Sequence, residues 1–195
     1  MSVRSFAALR AACVRYAATM LALAMIGGCA SVPLAPRDTR PFDVLGRVLV
    51  TYSGGAVTSN LRWEHAADRD EIWLMTPTGQ TLAQVLDTPD GAILTRADQQ
   101  QFRAGSVEAL TQRALGWPLP LTTLQYWMRG VAAPGSDPDV QERHKDGRLV
   151  AFSQNGWQVK VTYDEEGEPA GRARRIDLKD GSNEIRFVID TWRES

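Results

Sequence analysis

From Phe42 to the C-terminus the chain is written largely in a period of two, and that period most limits what it can fold into. In FDVLGRVLVTY, Val44, Gly46, Val48 and Val50 fall on one face and Leu45, Arg47 and Leu49 on the other. That is the alternation of a strand with one buried side. TSNLRWEH then sets Leu61 and Trp63 against Arg62 and Glu64, after a turn at Ser53-Gly54-Gly55 that calls for glycine. EIWLMT, TLAQVLD, AILTRAD and QQFRA continue the pattern, punctuated by Pro77-Thr78-Gly79 and Asp90-Gly91. RLVAFSQ, WQVKVTY, RRIDLKD and NEIRFVIDTW follow, with Asn155-Gly156 as a two-residue hairpin turn and Ile185, Phe187 and Ile189 sharing a face. Short strands with turns between them predict an antiparallel meander of about ten or eleven strands.

One stretch breaks the period. Ser106 is a good N-cap for VEALTQRALG, where Val107, Leu110 and Ala114 share a helical face and Gly116 closes the end. Pro118 and Pro120 then open a second short helix with Leu121, Leu124 and Trp127 or Met128 at helical spacing. This single helical insertion is expected to pack on the sheet.

The N-terminus has another character. Arg4, Arg10 and Arg15 precede the apolar run Ala17 to Ile26, which is about half the ~20 residues a bilayer span needs, so it reads as a secretory leader. Ile26-Gly27-Gly28-Cys29 has the form of a bacterial lipobox, an aliphatic residue and two small ones before a cysteine. Cys29 is then the first mature residue, carrying S-diacylglycerol and N-acyl groups, and Ala30 after it points to the outer membrane. Two or more acyl chains make such anchoring stable where one is marginal. Residues 1–28 are read as the leader, 29–41 as lipidated N-terminus and extended tether, and 42–195 as the domain.

Removing residues 1–28 of 195 leaves 167, with 19 basic against 23 acidic residues and a net charge of −4. Such a surface argues against a nucleic-acid partner. Cys13 leaves with the leader, so no disulfide inside the mature chain is possible and stability must come from packing.

Catalytic signatures are missing: there is no G-x-S-x-G, P-loop or dinucleotide fingerprint. His65 and His144 are too far apart in sequence to suggest a multi-histidine metal site, and His65, before Asp68, reads as part of an exposed polar turn. Asp164-Glu165-Glu166 and Glu168 read as a solvated hairpin tip. No metal and no enzyme activity are expected. The tryptophans at 63, 73, 117, 127, 157 and 192, with an apolar helical segment, fit either a filled core or a cavity between sheet and helices.

In order and spacing, Phe42 with Gly46-Arg47-Val48, Leu61-x-Trp63, Pro77-x-Gly79, Gly116 with Pro118-Leu119-Pro120-Leu121, Leu124-x-x-Trp127-x-x-Gly130, Gln154-x-Gly156-Trp157 and Trp192 resemble the family of the outer-membrane lipoprotein LolB. The resemblance runs from about residue 41 to 193. It implies a mainly β fold, an incomplete and strongly curved antiparallel barrel with helices covering an apolar cavity. It also implies a function: accepting lipoproteins from the periplasmic carrier LolA and placing them in the inner leaflet of the outer membrane, as a monomer. With strand and helix periods, it assigns the acyl-chain cavity to Val48, Val50, Leu61, Trp63, Ile72, Leu74, Leu121, Leu124 and Trp127. The family's loop matching Pro77-Thr78-Gly79 often carries an exposed leucine that aids delivery to the membrane. Here the position is Thr78, so Met75 or Leu82 supplies the apolar tip, or the anchor alone holds the cavity near the bilayer. The competing reading is an envelope-assembly lipoprotein with a filled core that binds another protein through its curved sheet.

Overall fold

The structure, a computed structural model, describes residues 36–52, 55–165, 171–181 and 183–194. The leader, the lipobox with Cys29, the Ser53-Gly54 turn and most of the acidic tip with Glu166 and Glu168 lie outside these residues.

Eleven strands form one sheet: β1 (Phe42–Tyr52), β2 (Gly55–Ala66), β3 (Arg69–Met75), β4 (Thr81–Thr88), β5 (Gly91–Arg96), β6 (Gln101–Ala104), β7 (Asp139–Arg143), β8 (Leu149–Gln154), β9 (Trp157–Tyr163), β10 (Ala173–Asp180) and β11 (Asn183–Arg193). Between β6 and β7 come two helices, α1 (Val107–Leu115) and α2 (Leu121–Trp127). Spatial order is β6-β5-β4-β3-β2-β1-β11-β10-β9-β8-β7, so β6 and β7 are the two edges and do not pair with each other. The barrel is left open. Every adjacent pair is antiparallel.

The predicted alternation decides the faces. Phe42, Val44, Val48, Leu61 and Trp63 are buried while Arg47 is exposed. The β1–β11 pair, joining the two ends of the chain, shifts register between Leu45 and Gly46, and a side chain at Gly46 would put its Cβ 2.1 Å from the Val188 carbonyl oxygen. A bulge there bends the middle of the sheet, and only glycine allows so close an approach. The Asn155-Gly156 turn has positive φ at both residues, 53° and 82°, as the two-residue hairpin requires.

β7 was not marked by the period. Its sequence DVQER exposes four residues, leaves only Val140 half-buried and shifts register twice against β8. A short, charged, irregular strand is what an open sheet edge tolerates, and those same properties erase the alternation.

Residues Pro36 to Pro41, expected to be free tether, form a strap bound across one end of the sheet. The Asp38 amide donates to Gln125 Oε1 at 2.9 Å and Tyr126 Oη donates to the Pro36 carbonyl at 2.8 Å. Arg129 donates to the Arg40 carbonyl at 2.7 Å, and its guanidinium lies near the rings of Phe42 and Trp192, at 5.4 and 5.7 Å. Arg37 ion-pairs with both Asp70 and Asp87.

Candidate functional site

The two helices are locked to each other before they meet the sheet. Ser106 Oγ accepts from the Ala109 amide at 3.2 Å, and Gly116, at φ 84°, closes α1. α2 has no side-chain cap of its own at Pro120. Glu108 of α1 stands in, its Oε1 accepting from the Thr122 amide at 3.2 Å and from Thr122 Oγ1 at 2.9 Å. A carboxylate at a helix N-terminus is favoured both by the free amides and by the helix dipole. Thr111 Oγ1 accepts from the Leu119 amide at 2.7 Å and so pins the linker between the helices.

Between these helices and the first half of the sheet lies a cavity of about 720 Å³. Val48 and Val50 of β1, Leu61 and Trp63 of β2, Ile72 and Leu74 of β3, and Leu121 and Leu124 of α2 line it together. Val85, Leu94, Val107, Leu110, Trp117, Ile185 and Phe187 complete the apolar wall. Its size is within the ~300–1,000 Å³ of ligand pockets. On the other half of the sheet Leu149, Phe152, Val159, Ile176 and Leu178 are buried as part of the core.

Trp127 differs from the expectation. It is fully buried and is not part of the cavity wall: its ring meets Phe152 edge-on at 6.0 Å and its Nε1 donates to Gln154 Oε1 at 2.7 Å. Leu121, Leu124 and Trp127 are all buried, but α2 is covered on nearly every side. Helical spacing cannot tell the side facing a cavity from the side facing a packed core.

The floor of the cavity is polar just beneath its apolar lining. Trp63 Nε1 donates to Asp70 Oδ1 at 2.7 Å, which lets an indole line the cavity without an orphaned N–H. His65 is a second correction: it sits in β2, 3% exposed, rather than in a polar turn. Its partner is Asp70, directly across the β2–β3 pair, with Nδ1 2.7 Å from Asp70 Oδ1. His65 Nε2 is 2.7 Å from the Asp38 carbonyl of the strap, and since a carbonyl only accepts, Nε2 carries a proton. Gln125 Nε2 donates to Asp70 Oδ2 at 3.2 Å. Burial pushes the neighbouring Asp87 carboxyl up to about 6, outweighing the contact with Arg37, with the charges of Asp70 and Glu108 adding to the rise.

At the other end the cavity opens. Leu82 and Phe102 on its wall are 45% and 44% exposed. The lining holds three charged residues, Arg96, Arg103 and Arg113, and no acid. Pro77, Thr78 and Gly79 form the exposed β3–β4 turn, with Gly79 at φ 87° and Thr76 Oγ1 2.9 Å from Thr78 Oγ1. The tip itself is polar. Of the two apolar candidates beside it, Met75 is half-buried and Leu82 is exposed.

Among the described residues no cluster of three or more His, Cys, Asp or Glu is set to hold a metal. His144 lies 3.0 Å from Asp146 and 3.1 Å from Glu165, on the far side of the sheet order from His65. The strap, Asp87, Leu94, Phe102 and the arginines are the parts of the site that the sequence did not reveal. β4 and β5 carry apolar residues on both faces, which blurs their period.

An open, curved antiparallel sheet with two helices roofing an apolar cavity defines a class of protein built to shelter a hydrophobic group from water. A crystal structure of a putative outer membrane lipoprotein-sorting protein domain from Vibrio parahaemolyticus has a similar fold, with TM-score 0.51 and 8% identity over 80% of this chain and 86% of that one. In sequence, the family described as "Outer membrane lipoprotein LolB" matches residues 40–192. An outer-membrane lipoprotein LolB of Chromobacterium violaceum is 33% identical over 182 residues, 89% of this chain and 97% of that one. Another from Cupriavidus taiwanensis is 37% identical, covering 85% and 90%. The chain belongs to the LolB family of outer-membrane lipoproteins, a family of lipoprotein localisation.

Proposed function

We propose that this outer-membrane lipoprotein receives acylated lipoproteins from a LolA-like periplasmic carrier, holds their acyl chains in the cavity under α1 and α2, and releases them into the inner leaflet of its own membrane. The observation that carries the reading is the apolar cavity of about 720 Å³, open at one end. Burying a methylene is worth about 0.8 kcal/mol, so an acylated protein passes between apolar shelters rather than through water. With no nucleotide site in the sequence, direction comes from affinity: each ~1.4 kcal/mol by which this cavity outcompetes the carrier biases transfer tenfold. The bilayer is the last and deepest well.

Cys29 carries the covalent acyl groups in this reading, and the protein acts as a monomer with no added cofactor. The Leu82 side chain, exposed beside the polar Pro77-Thr78-Gly79 turn, supplies the apolar contact that Thr78 does not. The scaffold reading needs a filled core behind the whole sheet, and the space between helices and sheet speaks against it.

The test uses the mature chain with Cys29→Ala, which leaves every described residue in place. It is mixed with a carrier loaded with one labelled lipoprotein, and the label is followed by co-purification. Movement of label onto this chain is the expected result. Label that stays on the carrier, with this chain folded, refutes the proposal.

A further inference from the structure

Charge at the cavity mouth is all of one sign, against the balance of the molecule. The whole sequence has 22 basic and 23 acidic residues, and most described arginines on the sheet have an acid within reach. Arg47 pairs with Asp190, Arg148 with Asp146, and Arg175 and Arg186 with Asp177. The arginines at the mouth do not. Among the described residues Arg96 and Arg113 make no ion pair, and the Arg103 guanidinium donates only to Gln101 Oε1, at 3.0 Å.

Placement adds to composition. Arg96 is the last residue of β5, on the same face as Ala92 and Leu94, so the apolar row of that strand ends in a guanidinium. Arg113 stands in the last turn of α1 beside the wall residues Leu110 and Ala114. Its position there also suits the negative end of the helix dipole, but that does not explain why Arg96, from a different element, lines the same cavity. Asp98, the acid nearest in sequence to Arg96, accepts from the Gln100 amide at 3.1 Å and is not part of the wall.

We propose that the cavity also takes a single anionic amphiphile, a phospholipid or lysophospholipid of net negative charge, with its chain in the cavity and its phosphate at Arg96 and Arg113. The inference rests on the cavity accepting acyl chains. Guanidinium groups suit a phosphate because their planar donors match its oxygens, and at the lip of an apolar space they are less screened than on open surface. A thioether-linked acyl group has no such anion. The mouth is therefore matched to a ligand other than the acyl groups of the cargo, one that fills the cavity between deliveries and has to be displaced by the next load.

The test measures displacement of the neutral fluorophore N-phenyl-1-naphthylamine from the Cys29→Ala mature chain. The competitors are palmitoyl lysophosphatidylglycerol, palmitoyl lysophosphatidylcholine, monopalmitoylglycerol and glycerol 3-phosphate, all below their micelle concentrations. Expected is about tenfold tighter binding of the lysophosphatidylglycerol than of the other two lipids. The preference should vanish in Arg96→Gln/Arg113→Gln and shrink in high salt, with the variant's thermal unfolding midpoint reporting an intact fold. Equal affinity for all three lipids overturns the inference and leaves the cavity reading standing. A preference that survives the double substitution overturns it too, as does tight binding of glycerol 3-phosphate alone. Failure of every lipid removes the cavity reading and this inference with it. A variant that loses cargo transfer from the carrier, from a parent with no head-group preference, would assign the arginines to an acidic protein surface instead.

Discussion

Replacing Asp70 with asparagine strikes the most heavily bonded group beneath the cavity floor. Its carboxylate is fully buried, with Oδ1 accepting from Trp63 and facing His65, both at 2.7 Å, and Oδ2 accepting from Gln125 and from Arg37 of the strap. Asparagine has one acceptor oxygen and one amide nitrogen. Turned one way, the new amide nitrogen faces the donors of Gln125 and Arg37; turned the other, it faces the Trp63 indole N–H, and either way Arg37 loses half of its countercharge. Removing one partner of a buried charged pair costs about 3–5 kcal/mol. With a urea dependence of about 2 kcal/mol per M for a domain of this size, the unfolding midpoint should fall by about 2 M. The strap should loosen as well, since Arg37 and His65 both hold it through this carboxylate. Urea unfolding followed by tryptophan fluorescence, and trypsin cleavage after Arg37 in native buffer, read the two effects separately. A loss below about 1 kcal/mol, the range of an exposed ion pair, refutes the reasoning. So does a large loss with no faster cleavage, which would make Asp70 a core residue and nothing more.

Three other perturbations follow from particular contacts. Gly46→Ala places a Cβ within 2.1 Å of the Val188 carbonyl, so the β1–β11 pair must part, and the expected loss is about 3 kcal/mol or failure to fold, read by thermal unfolding. Asp87, held near 6 in the folded state against 3.8 for an ordinary aspartate, binds a proton more readily folded than unfolded. Stability should therefore fall by up to about 3 kcal/mol as pH rises through that window, and the difference from Asp87→Asn across pH 4 to 7 should change by that amount; a flat difference refutes the assignment. Leu82→Ser should slow delivery into vesicles several-fold, more than it slows uptake from a loaded carrier, and equal effects on both steps would return the membrane contact to another residue.

The β1 and β2 strands were legible because each has one face in the core and one in water. So were α1 and α2, from Ser106, Gly116 and the prolines. Eight of the nine residues assigned to the cavity do surround it, since strand period fixes the inward face even when it cannot say what fills the space inside. Trp127 went astray because α2 is buried on two sides, facing the cavity with Leu124 and the packed half of the sheet with the indole. His65 and Asp70 are partners only through the β2–β3 register, a tertiary fact that five residues of sequence separation do not announce. The strap was invisible for the opposite reason: ProArgAspThrArgPro has no apolar period, and charges buried in matched pairs do not produce one.

The fastened strap also sets a radius of action. With the acyl groups on Cys29, seven residues separate the membrane from Pro36, where Tyr126 takes hold. Whatever path they follow, seven residues reach at most about 25 Å. Eleven-residue β1 alone is about 36 Å long, so the leash is shorter than the body it restrains. If Cys29 carries the anchor as proposed, the domain works within that reach, and whatever brings a lipoprotein has to come to within one leash length of the bilayer to hand it over.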